Sequence, residues 1–209
     1  MCLMNTNDSD NLITALVAHG YAIINQALPI DLITELRNEA YSLEKLGLMH
    51  RASTGKNSDT ESLSLLRGDF TYWLTTEDET SYSQHMESLR VLLNQELFLG
   101  LFDFETHFAI YPVSTGYSKH LDQFQQKNNE SNTSSQRKIS TILYLNDDWQ
   151  TQDGGQLRLY LDDNLGNKSH LDIEPTGGKM VVFSSDRFWH EVLPAKRQRI
   201  SLTGWFRTR

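Results

Sequence analysis

From residue 103 onward the chain reads as a run of short strands cut by turns, with no helix-length pattern between them. Candidate strands are Phe104–Tyr111, Ser118–Asp122, Ile139–Leu145, Gln156–Leu161, Leu171–Ile173, Met180–Phe183, Glu191–Leu193 and Ile200–Phe206. Gly154-Gly155, Asp162-Asp163-Asn164 and Gly177-Gly178 supply turn chemistry between them. A series of this kind predicts a double-sheet jelly roll, the double-stranded β-helix.

The first 102 residues read differently. Asp8 or Asp10 can cap a helix whose apolar residues Leu12, Ile13, Leu16 and Val17 recur at helical spacing until Gly20. Tyr21–Ile24 predicts a strand, and Pro29 opens a second helix through Leu32, Ile33, Leu36 and on to Leu46. A third helix is expected over Ser83–Leu99, with Met86, Leu89, Val91, Leu92 and Leu97 as its apolar side. The expected class is therefore α+β, mainly β: one domain over 1–209, with helical support in 1–102 and the β core in 103–209. Between the second and third helices, His50–Ser64 is rich in Ser, Thr, Asn and Lys, and a mobile loop is expected over about 50–69. Gln123–Lys138 is another polar tract with almost no apolar residue.

Composition excludes several classes. A net charge of −8 argues against nucleic acid as the main partner. Cys2 is the only cysteine, so no intrachain disulfide forms and a reducing compartment is expected. No apolar run approaches the roughly 20 residues needed to span a bilayer, and Met1–Asp10 lacks the order of a signal peptide. The expected setting is the cytoplasm, without a membrane partner, and the expected state a monomer.

His-x-Asp occurs twice, as His120-Leu121-Asp122 and His170-Leu171-Asp172. Chance alone predicts about half an occurrence in a chain of this composition, so neither is informative by itself. Residues i and i+2 share one face of a strand, so either pair can present an imidazole and a carboxylate to one metal ion. A third ligand must come from a neighbouring strand. Between His120 and His190 there is room for several strands, whereas between His170 and His190 there is little more than a hairpin. His170 also follows the polar stretch Asp162–Ser169, where a loop histidine is the ordinary reading. His120, Asp122 and His190 are thus the preferred set, the two-His-one-carboxylate pattern of non-haem Fe(II). Of the other histidines, His107 sits in an apolar strand and reads as structural.

Arg199 opens a strand in which Arg199, Ser201, Thr203 and Trp205 share one face and Ile200, Leu202 and Phe206 the other. An inward guanidinium needs a carboxylate partner, because an unpaired buried charge is severely penalised. A small dicarboxylate such as 2-oxoglutarate satisfies both the metal and Arg199, with Thr203 able to add a hydroxyl. A structural ion pair to one of the chain's many acidic residues is the alternative.

Taken in order, these residues resemble a known family. His120-Leu121-Asp122, Thr141-Ile142-Leu143-Tyr144-Leu145-Asn146, Trp149 and Gly154-Gly155-Gln156-Leu157-Arg158 resemble prolyl hydroxylases of the iron/2-oxoglutarate oxygenase superfamily. Asp172-Ile173-Glu174-Pro175, His190-Glu191-Val192-Leu193-Pro194 and Arg199-Ile200-Ser201-Leu202-Thr203-Gly204-Trp205 continue the likeness, which runs from about Arg67-Gly68-Asp69 to the C-terminus. The branch includes the animal hypoxia-sensing prolyl hydroxylases and bacterial relatives that hydroxylate a proline of elongation factor Tu; length and the Leu-Thr-Gly-Trp-Phe-Arg ending favour the bacterial form.

The resemblance implies Fe(II) on His120, Asp122 and His190, and the distal carboxylate of 2-oxoglutarate on Arg199 with help from Tyr144. It puts Thr203 near the co-substrate, Tyr111 and Tyr117 near the site, and Arg67 and Asp69 at the base of a loop that closes over the substrate. O2 is the oxidant, ascorbate a candidate reductant, and the substrate a prolyl residue of a protein, elongation factor Tu first, with succinate and CO2 released. Rival readings are a 2-oxoglutarate oxygenase acting on another protein or a small molecule, and a non-catalytic metal-binding sensor of the cupin type.

Overall fold

A computed structural model of the chain describes residues 6–52, 67–75, 80–123, 136–161 and 168–209. The first helix, α1, spans Thr6–His19, and Gly20 ends it in a left-handed turn (φ +81°) that leads into β1, Tyr21–Ile24. Helix α2 covers Ile30–Lys45 with Pro29 at its N-cap, where a missing N–H is harmless. Helix α3, Ser81–Leu97, starts at a capping box in which the Thr80 hydroxyl accepts from the Ser83 N–H and the Ser83 hydroxyl accepts from the Thr80 N–H. It ends at Phe98, whose backbone is left-handed at φ +53°.

Two short strands not foreseen in the sequence join this half: β2, His50–Arg51, and β3, Phe70–Trp73. The strand Phe70-Thr71-Tyr72-Trp73 buries a threonine and leaves Phe70 and Trp73 partly exposed, so it shows no apolar alternation to read. Most of the expected mobile loop (53–66) and of the polar tract (124–135) lies outside the described residues, as does the Asp162-Asp163-Asn164 turn. Three apolar assignments in the helices need correction. Val17, Leu46 and Val91 are exposed, because α1 and α3 each bury a narrower stripe and α2 has ended before Leu46.

The β core consists of β4 Asp103–Tyr111, β5 Tyr117–His120, β6 Gln136–Tyr144, β7 Leu157–Tyr160, β8 His170–Ile173, β9 Met180–Ser184, β10 His190–Val192 and β11 Arg199–Thr208. They form two antiparallel sheets, ordered β1-β9-β6-β11-β4-β3-β2 and β5-β10-β7-β8. The larger sheet has two buried faces, and the alternation along its strands sorts the residues cleanly. Phe108, Ile110, Leu143, Val182, Ile200, Leu202 and Phe206 pack with the helices on one face. Ala109, Tyr111, Ile142, Tyr144, Val181 and Phe183 face the other way, against Leu157, Leu159, Ile173 and Val192 of the smaller sheet. The mainly β, jelly-roll class expected from the strand pattern is the observed one. Truncating a fully buried residue here, such as Leu202→Ala, is expected to cost about 2–5 kcal/mol.

Candidate active site

Antiparallel register brings the two ends of the His-x-Asp…His pattern together. In the smaller sheet His190 on β10 stands directly across from His120 on β5. Gly116 allows this approach: a Cβ there would run into the Val192 carbonyl. The Nε2 atoms of His120 and His190 each lie 3.6 Å from a carboxylate oxygen of Asp122, on Oδ1 and Oδ2 respectively. One ligand atom from each of the three lies within 4.8 Å of the others, a spacing that a single metal ion can fill.

Each side chain of this cluster is anchored from behind. The Nδ1 of His120 lies 2.8 Å from the Ser118 carbonyl, and that of His190 lies 3.0 Å from the Phe188 carbonyl. A proton on Nδ1 satisfies both contacts and leaves both Nε2 lone pairs pointing inward, the form a metal needs. Asp122 Oδ2 accepts from the Ser140 hydroxyl at 2.6 Å, and Ser140 is in turn 2.8 Å from the Ser185 hydroxyl. Burial pushes the Asp122 carboxyl up, but His190, His120 and Ser140 outweigh it and hold it well below the usual carboxylate range. Burial also lowers His190, which keeps its imidazole neutral. Two imidazoles and a carboxylate at this spacing are the donor set of a divalent metal site.

Arg199 lines the same cavity as these three residues. It is 1 % exposed, its Nε and Nη2 have no hydrogen-bond partner, and no carboxylate pairs with it among the described residues. Its guanidinium sits between two aromatic rings, 5.1 Å from the Tyr111 centroid and 5.0 Å from that of Tyr144. The buried Tyr144 hydroxyl likewise has no hydrogen-bond partner among the described residues. Burial raises both phenols, so they stay protonated and can act as donors. A buried cation without a counter-ion, beside a buried donor without an acceptor, fits the carboxylate of a small ligand. Thr203 lines this cavity as well.

The same cavity is bordered by a chain of contacts that the sequence located but did not connect. Asp69 is fully buried, and its two oxygens accept from Arg67 at 2.7 and 2.9 Å. The Arg67 guanidinium lies 4.8 Å from the centre of the Tyr117 ring, which stacks on His120 at 3.6 Å. Three further polar or aromatic residues line the cavity with no site role expected from the sequence: His107, Arg137 and Trp205. Trp205 was readable, because it continues the Arg199–Thr203 face. His107 was not, because its place opposite Thr203 depends on the pairing of β4 with β11.

Fold and site together define an Fe(II)- and 2-oxoglutarate-dependent oxygenase. Residues 106–207 match the model of the 2OG-Fe(II) oxygenase superfamily. The crystal structure of a Pseudomonas putida prolyl-4-hydroxylase superposes with a TM-score of 0.81 at 40 % identity, covering 96 % of this chain and 99 % of that one. A Trichoplax adhaerens prolyl hydroxylase, in complex with a peptide fragment of the hypoxia-inducible factor oxygen degradation domain, gives 0.81 at 26 % identity over 98 % and 94 %. A Caenorhabditis elegans hypoxia-inducible factor prolyl hydroxylase is 28 % identical over 95 % of this chain, which spans 28 % of that protein's length. This chain belongs to the 2OG-Fe(II) oxygenase superfamily, and within it is similar to the bacterial prolyl-4-hydroxylase and the animal hypoxia-inducible factor prolyl hydroxylases.

Proposed function

We propose that this chain hydroxylates a prolyl residue of a protein, with His120, Asp122 and His190 holding Fe(II) and Arg199 holding the distal carboxylate of 2-oxoglutarate. The observation that carries the reading is Arg199: a buried guanidinium without a counter-ion among the described residues, in the cavity that the His-Asp-His cluster also lines. Fe(II) bound there supplies the oxygen chemistry, with O2 as oxidant and 2-oxoglutarate as the co-substrate that leaves as succinate and CO2.

The chain's own residues bind, orient and exclude water. The Ser118 and Phe188 carbonyls and the Ser140 hydroxyl hold the three ligands in the orientation for one ion. Tyr144 donates its hydroxyl to the carboxylate held by Arg199, and Tyr111 and Thr203 close the co-substrate's end of the cavity. Arg67, fixed by Asp69, and Tyr117 form the side of the mouth that meets the substrate. No protein acid or base is required. In this reading ascorbate restores iron that has been oxidised, and the enzyme works as a cytoplasmic monomer.

Elongation factor Tu is the candidate protein, because the Leu202-Thr203-Gly204-Trp205-Phe206-Arg207 ending resembles the bacterial members of the family. The identity to the Pseudomonas putida prolyl-4-hydroxylase over nearly the whole of both chains supports a bacterial-type substrate. The test is mass-spectrometric mapping of elongation factor Tu after incubation with the protein, Fe(II), 2-oxoglutarate and O2. One added oxygen on a single prolyl residue, absent with His190→Ala, is the expected result. Succinate release without a modified proline overturns the substrate, and no turnover of 2-oxoglutarate with any proline-containing polypeptide overturns the prolyl reading itself.

A further inference from the structure

A continuous stack of rings leads from the surface into the cavity, across three adjacent strands. Trp73 on β3 is 47 % exposed, and its ring centre lies 4.6 Å from that of His107 on β4. His107 in turn stacks on Trp205 of β11 at 5.4 Å with the rings 27° apart. His107 is 1 % exposed and Trp205 4 %, and both line the cavity that Arg199 and the His-Asp-His cluster share.

His107 is anomalous as a structural residue. Its Nδ1 is buried with no hydrogen-bond partner among the described residues, in a class of group that is satisfied in the large majority of cases. Burial, with the cations of Arg67 and Arg137 nearby, pushes its pKa down to about 3, so the ring is neutral at physiological pH. An imidazole packed between the two indoles, Trp73 tilted at 41° and Trp205 stacked, is not free to swing out to water. It can offer a hydrogen bond to whatever fills the cavity.

The register indicates which occupant it meets. His107 stands opposite Thr203, four residues along β11 from Arg199, and Trp205 lies two residues further on. The residues around Arg199, with Tyr111 and Tyr144, are thus at the far end of this face, and the stack occupies the other half and ends in the exposed Trp73. A prolyl nitrogen within a peptide carries no N–H, so carbonyl oxygens are what the peptide offers beside the ring. Resting on the prolyl-hydroxylase reading, we propose that His107 contacts the substrate directly: its Nδ1–H donates to a backbone carbonyl of the peptide that enters over the Trp73–His107–Trp205 stack.

The test compares wild type, His107→Phe and His107→Asn, each loaded with Fe(II), on elongation factor Tu and on poly(L-proline). Phenylalanine keeps the stack and removes the donor, whereas the asparagine amide restores a donor near the position of Nδ1. For His107→Phe the expected result is a KM for polypeptide raised about tenfold, the usual effect of losing one buried hydrogen bond. The KM for 2-oxoglutarate stays within about twofold, and anaerobic calorimetry shows the same loss in polypeptide affinity. His107→Asn recovers most of it. A polypeptide KM unchanged in His107→Phe, or a KM for 2-oxoglutarate that rises in parallel with it, overturns the role of His107 alone. If wild type oxidises neither of these nor any other proline-containing polypeptide, the prolyl reading fails, and this inference with it.

Discussion

His120-Leu121-Asp122 and His170-Leu171-Asp172 are the same three residues in the same order; His120 ends one edge strand of the four-stranded sheet with Asp122 just beyond it, and the second triplet lies within the opposite edge strand. What differs is the residue across the strand. His120 faces His190, and Asp122 is 8 % exposed with Ser140 beneath it. Asp172 faces Arg158, which donates to both its oxygens at 2.8 Å, and His170 faces Tyr160 with its side chain half exposed. The second triplet is a surface ion pair with an imidazole beside it. Each region also has its arginine: Arg158 is matched by a carboxylate, and among the described residues Arg199 is not. The pairing partner, and whether charge has been left unmatched, separates a candidate metal centre from a solvated edge.

The sharpest way to break this contrast is to remove each triplet in turn. His120→Ala or Asp122→Ala is expected to abolish 2-oxoglutarate turnover, measured as succinate release. His170→Ala or Asp172→Ala leaves it within about twofold, since surface substitutions away from a site have small effects. Comparable losses in both sets would erase the distinction. Next in size are the arginines. Arg199→Ala leaves a buried carboxylate without its partner, which costs about 2–5 kcal/mol, a KM for 2-oxoglutarate raised roughly 30-fold or more. Arg158→Ala should not move that KM.

Much of this contrast was legible beforehand. Sequence distance set His120 above His170 as a partner of His190, and the alternation of Arg199, Ser201, Thr203 and Trp205 against Ile200, Leu202 and Phe206 located the inward face of β11. Both signals are local or depend on chain length. What escaped depends on strand neighbours. β3 has no apolar period, and His107 reads as a core histidine until β11 is laid beside β4 and β3 on its other side. Ser140 escaped for the same reason: on β6 it is one more small residue, and only the fold lays it under Asp122.

Ser140 provides a subtler comparison. Ser140→Ala removes the hydroxyl that orients Asp122 and is expected to weaken metal affinity about 10- to 100-fold, as loss of such supporting bonds does. Measured by competition with a chromophoric chelator, an unchanged affinity would mean the two imidazoles alone hold Asp122 in place. Smallest of all is the exposed pair. Asp172→Asn breaks the Arg158 contact and should shift stability by less than about 1 kcal/mol in denaturant unfolding. A larger loss would show that the second triplet holds the sheet edge together.

The most direct measurement is anaerobic calorimetric titration of Fe(II), with 2-oxoglutarate present, into wild type, His190→Ala and His170→Ala. The account predicts one bound ion in wild type and in His170→Ala, and none in His190→Ala. An ion retained by His190→Ala, or lost from His170→Ala, would contradict it.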